Sequence, residues 1–192
     1  MRVLIMMSFI AISMVSCIGL GDSSSSAVLN VNSFVDPDYR GTAFTKVLID
    51  VPFENFAVRQ SWESTLAQYL FAYKMTGVES NKLFLPTRTY SAQDSLRILA
   101  EAGVDACLQF NVRLYSYAKE YYSDGQPMEK PNVAFNWVLS DLKNNRTVWI
   151  GDGYNGGNVF DNLDGITNTL LKEIMKTLAR EGIIEFAHKA DN

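Results

Sequence analysis

Apolar and polar residues alternate along two stretches in the second half of the chain. Leu108, Phe110, Val112 and Leu114 alternate with Gln109, Asn111, Arg113 and Tyr115. Val133, Phe135, Trp137 and Leu139 alternate with Ala134, Asn136 and Ser140. A period of two marks strands with one buried and one wetter face, as antiparallel sheets have. Thr147-Val-Trp-Ile150 follows the hydrophilic turn Lys143-Asn-Asn-Arg146, so this half reads as an antiparallel meander.

The first half has another rhythm. Val28 to Val35 predicts a short edge strand, ended by the turn Asp36-Pro37-Asp38-Tyr39-Arg40-Gly41. Lys46-Val-Leu-Ile-Asp-Val-Pro52 is a β-branched strand stopped by proline. Val58, Trp62, Leu66, Tyr69, Leu70 and Tyr73 then recur at helical spacing, with Arg59, Gln60, Glu63 and Gln68 on the other side. Lys82-Leu-Phe-Leu-Pro86 reads as the next strand. Ser91 and Asp94 resemble a capping box that opens a helix through Leu96, Leu99 and Ala100 to Gly103. Strand, helix, strand, helix, strand implies parallel pairing with right-handed crossovers. Asp161 or Asn162 caps a last helix with Leu163, Ile166, Leu170, Ile174 and Leu178 inward and Gly182 at its end. The pattern therefore predicts an α/β fold: a single mixed sheet, with a βαβαβ parallel unit followed by an antiparallel meander and a C-terminal helix.

Before this domain the chain carries Arg2 and then an almost wholly apolar run, Val3 to Val15. The run falls short of the roughly 20 residues that a spanning helix needs and has the layout of a secretory signal. Met14-Val-Ser-Cys17 ends it and resembles a bacterial lipobox, which implies lipid on the Cys17 thiol and cleavage before it. Ser23 to Ser26 suit a flexible tether. Ile18, where sorting rules of similar lipoproteins place Asp for inner-membrane retention, implies the outer membrane. The expected organisation is a signal peptide over 1–16, a lipidated tether over 17–27, one α/β domain over 28–187 and a polar tail over 188–192. The expected address is the bacterial cell envelope, lipid-anchored at the outer membrane and facing the periplasm.

Composition narrows the chemistry. The 192 residues carry a net charge of −4, without the basic footprint that nucleic-acid binding requires. If Cys17 is lipidated, Cys107, inside the strand Val104-Asp-Ala-Cys-Leu-Gln-Phe, has no disulfide partner and reads as a structural thiol. Gly151-Asp-Gly-Tyr-Asn-Gly156 matches G-x-G-x-x-G in letters. No helix opens at its last glycine, and Asp152 would repel a pyrophosphate, so it reads as a bulge or loop. The single histidine, His188, lies in the tail, where nothing would hold it for catalysis or a metal. Asp36 with Asp38, and Asp161 with Asp164, have the spacing of turns and helix caps. Asn145-Arg-Thr147 matches a glycosylation sequon but lies in a hairpin turn. No cofactor or metal is expected.

Two groups of residues suit partner binding. Tyr115, Tyr117, Tyr121 and Tyr122 crowd the end of the long strand and the loop Lys119 to Asn132, and tyrosine offers contact area with a polar tip. The plainer reading is that they roof the core beside the meander. Gln109, Asn111, Arg113 and Asn136 form a polar strand face that is either a binding surface or covered by a helix.

Asp-Pro-Asp-Tyr-Arg-Gly41, Phe44, Lys46-Val-Leu-Ile49, Arg59 with Glu63, Gly103-Val-Asp-Ala106 and Val148-Trp149 resemble the pattern of a family of small, uncharacterised bacterial lipoproteins. The architecture is similar to the α/β domains of the TolB amino-terminal region, of penicillin-binding-protein activator lipoproteins and of the curli secretion lipoprotein. The resemblance implies a non-enzymatic domain that binds an envelope protein or associates with itself. A subunit of a curli-type export channel is the alternative, and a hydrolase ranks third for want of a convergent catalytic set.

Overall fold

The computed structural model describes residues 28–39 and 44–184. The signal, Cys17, the tether and His188 lie outside them. Chain order is β1 Val28–Val35, β2 Lys46–Asp50, α1 Phe56–Ala72, β3 Thr76–Glu79, α2 Ser80–Leu83, α3 Ala92–Glu101, β4 Ala106–Tyr121, β5 Pro127–Asp141, β6 Arg146–Gly156 and α4 Leu163–Arg180. The strands form one mixed sheet in the order β1-β6-β5-β4-β2-β3. β2 lies parallel to both β3 and β4, and every other pairing is antiparallel. The predicted fold class is thus the observed one. Among the described residues no helix is long and apolar enough to cross a membrane.

The core fills the space between the sheet and α1 with α4. Trp137, Trp149, Phe110 and Phe135 are fully buried from the strands, and Leu66, Leu70, Leu170 and Ile174 meet them from the helices. Trp62 of α1 stands edge-on to Phe135 with ring centroids 5.4 Å apart, and Trp137 lies 5.2 Å from Trp149. Both helices open on an asparagine cap: Asn55 accepts from Val58 N–H, and Asn162, one of the two expected caps of the last helix, from Gly165 N–H. Gly182, at φ 74°, follows the end of α4 in the left-handed region.

Several local expectations need correction. The third strand is Thr76–Glu79, and Lys82–Leu83 belong to the single helical turn α2 instead of a strand. Lys74 turns the chain early, at φ 60°, and Gly77 then lies so close to α1 that a Cβ would sit 2.6 Å from Ala67 Cα. Glu63 is not on a solvated side of α1. It is fully buried and accepts from Arg59 Nε (2.9 Å), Ser80 Oγ (2.7 Å) and Val51 N–H (3.2 Å), with Asn81 N–H at 3.5 Å. Residues 151–156 are neither bulge nor loop but the second half of β6. Their glycines make room: a Cβ on Gly151 would overlap the Trp137 ring, and one on Gly153 would meet Leu170 Cδ1 at 2.9 Å.

Asp105 explains the Gly103-Val-Asp-Ala106 string. Its buried carboxylate accepts from Thr45 N–H, Thr45 Oγ1 and Lys46 N–H, pinning the start of β2 beside β4. Asp141 holds the β5–β6 turn in the same way through Lys143 and Asn144 N–H, and Asn145 takes the left-handed position.

Candidate functional site

The two crossovers, β2-α1-β3 and β3-α3-β4, run in opposite directions along the sheet, so right-handed connection places α3 on the face opposite α1. There α3 lies beside Val104 and Leu142, where β4 starts and β5 stops. The rest of that face, across β1, β6, β5 and the middle of β4, carries no helix among the described residues.

Register arranges this face in three transverse rows. Phe34, Ile150, Val138 and Gln109 stand side by side across β1, β6, β5 and β4. Asn32, Asp152, Asn136 and Asn111 form the next row, and Asn30, Tyr154, Ala134 and Leu114 the third. A polar row thus runs between two more apolar ones. Phe34 is 61% exposed and Ile150 43%, which is unusual for large apolar side chains beside each other on a monomer surface. A shallow groove of about 500 Å³ crosses the rows, lined by Asn32, Phe34, Arg113, Asn136, Ile150 and Asp152 among others.

The polar row is only partly satisfied. Asn32 Nδ2 reaches Asp152 at 3.4 Å, but the Asn136 Oδ1 is buried without a partner among the described residues. Arg113 is the extra residue where the β4–β5 register shifts between Val112 and Leu114. It is exposed, and among the described residues no carboxylate or hydrogen-bond acceptor holds it. The face thus sets a cation and an unpaired amide oxygen among two more apolar rows.

The predicted site residues separate. Gln109 donates to Asp50, Asn111 and Arg113 belong to the open face, and none of the tyrosines joins them. Tyr115 turns inward, 5.1 Å from the Trp62 ring, with its hydroxyl donating to Asp164. Burial, helped by the Asp164 charge, pushes that phenol up to about 12. Tyr117, Tyr121 and Tyr122 are exposed. They do not sit on a loop from Lys119 to Asn132: β4 and β5 stay paired to Tyr121 and Pro127, leaving only residues 122–126 as turn. β6 ends opposite Asn132, so residues 117–131 project as a two-stranded arm.

No catalytic constellation emerges among the described residues. Cys107 is half-buried, and its thiol is pushed up to about 12 by desolvation and by nearby Asp50. A thiol held protonated is no nucleophile at neutral pH. Asp36 is lowered chiefly by the Arg146 hydrogen bond, a link that ties the first turn to β6. Asp36 with Asp38, and Asp161 with Asp164, serve turns and helix starts. Phe34, Ile150, Asp152 and Tyr154 were missed as site residues. Their signal was the alternation of β1, which puts Phe34 on the polar side, and the charge between Ile150 and Tyr154.

No protein-family model and no curated protein matches the sequence. Solved structures do. The PelC dodecamer of Paraburkholderia phytofirmans is similar with a TM-score of 0.55 at 18% identity, over 77% of this chain and 96% of that one. A variant of that PelC gives 0.53 at 19% identity, over 79% and 96%. The lipoprotein GNA1162 of Neisseria meningitidis gives 0.47 at 17% identity, over 71% and 99%. The chain thus shares the fold of PelC.

Proposed function

We propose that this chain is a lipid-anchored protein of the bacterial envelope that acts by binding other proteins and not by catalysis. Cys17 would carry the anchor, with the domain held at the outer membrane and facing the periplasm. The carrying observation is the sheet face that no described element covers, where Phe34 and Ile150 lie exposed beside an Arg113 and a buried Asn136 oxygen that have no partner among the described residues. The exposed arm tyrosines Tyr117, Tyr121 and Tyr122 add a second contact region. PelC, whose fold is similar, is described as a dodecamer, and this supports a role in assembly. An export channel is less favoured. The arm has five paired residues on each strand beyond Asn132, from 117–121 and 127–131, against the roughly 9–11 that a spanning strand needs.

The test is site-specific photocrosslinking of the full chain in its native envelope. A crosslinker at Phe34 or Ile150 is expected to give a discrete protein adduct that Arg113→Glu abolishes, whereas one at exposed Lys172 on α4 gives none. Equal, diffuse adducts from all three positions would refute the face as a binding site.

A further inference from the structure

The backbone groups of the arm are not equally protected on its two edges. Tyr122 N–H bonds Gln126 C=O, so in an antiparallel ladder the alternate residues Tyr121, Lys119, Tyr117 and Tyr115 direct their amides away from β5. On that side β4 pairs with β2 only from Ala106 to Gln109, and no described strand continues beyond it. The β5 edge of the arm differs. Its outward positions are Pro127, Glu129 and Pro131, and two of those three have no N–H to offer. Proline on an edge is a standard guard against strand addition. The arm is guarded on β5 and left with a full set of donors on β4.

The chain has a matching edge elsewhere. β1 is an outer strand, and Asp36 N–H bonding Val148 C=O sets its phase. Phe34, Asn32 and Asn30 therefore turn their amides to β6, while Val35, Ser33, Val31 and Leu29 turn theirs outward. Val28–Val35 contains no proline, no glycine and no charged residue, so this eight-residue edge carries none of the guards that a strand's own sequence supplies. The sheet's other margin, β3, is four residues long and stops at Glu79.

We infer that the free edge of β4 in one copy receives the outer edge of β1 from a second copy. This rests on the reading of the chain as a protein-binding domain and names the partner and the contact. Four outward amides at alternate positions on β4 meet four on β1. β1 runs antiparallel to β4 within one chain, so copies with a common strand direction would pair antiparallel, as their neighbours do. The outward residues also agree in chemistry. With all four pairs engaged, Leu29, 40% exposed, falls opposite Tyr121, 67% exposed, as an aliphatic–aromatic cross-strand pair, and Tyr117 falls opposite Ser33. The two edges are different surfaces, so the contact is head-to-tail and builds a ring or an open filament instead of a closed pair.

The experiment uses the full chain in its membrane, with a photocrosslinker at Lys119 and, separately, at Ser33. The expected result is a ladder at multiples of the chain mass, with Lys119 adducts mapping to residues 28–36 and Ser33 adducts to residues 115–121. Tyr117→Pro removes one outward donor and Val31→Pro one on the partner edge. Each should reduce the ladder about tenfold, the ratio that about 1.4 kcal/mol represents. Ser116→Ala, next to the edge but without an outward amide, should leave it intact. Circular dichroism of each variant checks folding, and Lys119→Pro replaces any that melts early. Self-adducts mapping to other surfaces, or a single dimer band without a ladder, would overturn the inference. Adducts to a different protein alone also overturn it, yet leave the protein-binding reading standing. An absence of adducts at Lys119, Ser33, Phe34 and Ile150 together sinks both.

Discussion

Removing the Glu63 carboxylate should destabilise the fold strongly although the group is polar. Glu63 has no exposed surface, yet it accepts from Arg59, Ser80 and the Val51 amide, and Ser80 and Val51 are themselves buried. Glu63→Ala leaves those donors without an acceptor and Arg59 without its main counter-charge. Breaking a buried pair from one side typically costs about 3–5 kcal/mol. Arg59 is 23% exposed and keeps Asp50 at 3.4 Å, so the lower end, about 3 kcal/mol, is expected. For a domain of this size that corresponds to a fall in Tm of roughly 6–12 °C. Glu63→Gln keeps the volume and one acceptor oxygen and should lose about half as much. Urea unfolding followed by tryptophan fluorescence reads the differences, since Trp62 sits on the same helix. The double variant Arg59→Met with Glu63→Leu removes both charges together and should be about 1–3 kcal/mol more stable than the sum of the single losses. A loss below about 1 kcal/mol for Glu63→Ala, or additivity within about 0.5 kcal/mol in the cycle, would refute the account of the network.

Cys17→Ser is expected to abolish incorporation of radiolabelled fatty acid and to release the protein from membranes; persistent extraction by detergent alone would count against lipidation. Gly151→Ala should destabilise by about 1–3 kcal/mol, because its methyl would overlap the Trp137 ring and the Asn32 carbonyl, and a change under about 0.5 kcal/mol would contradict that packing. Ultraviolet titration should show one tyrosine ionising near 12, lost in Tyr115→Phe. Its folded pKa is raised, so the stability it contributes is fully present below the unfolded value near 10 and is lost as pH rises through 12. Deleting Arg113 should destabilise far more than Arg113→Ala, which touches only an exposed side chain and is expected within about 0.5 kcal/mol of neutral. Equal effects of the two on Tm would mean that the bulge contributes nothing to stability.

Periodicity exposed most of the fold because burial here is one-sided. Strands such as Val133–Leu139 face α4 on one side and solvent on the other, so every second residue had to be apolar. Capping residues placed the starts of α3 and α4, at Ser91 and Asn162, for the same local reason. The third strand escaped because Thr76-Gly-Val-Glu79 is short and polar, and its glycine is dictated by the approach of Ala67, a tertiary constraint without a local signature. Glu63 escaped as well. A carboxylate at helical spacing reads as solvated unless its buried donors, which come from β2 and α2, are known.

The candidate site was legible only up to the bulge. A strict period of two assigns Leu108, Phe110, Val112 and Leu114 to one side and Arg113 with Tyr115 to the other. One extra residue between Val112 and Leu114 reverses that assignment for everything after it. Leu114 moves to the open face and is 38% exposed, whereas Tyr115 passes inward to Trp62 and Phe53. The tyrosines that looked like one cluster are thereby divided between core and arm, and Arg113 is pushed out with no carboxylate to meet it. Alternation alone cannot report such a residue, since a bulge leaves the composition of both faces plausible. The bulge therefore does two jobs. It turns the aromatic that closes the core over α1, and it sets the phase in which the arm beyond presents its free amides.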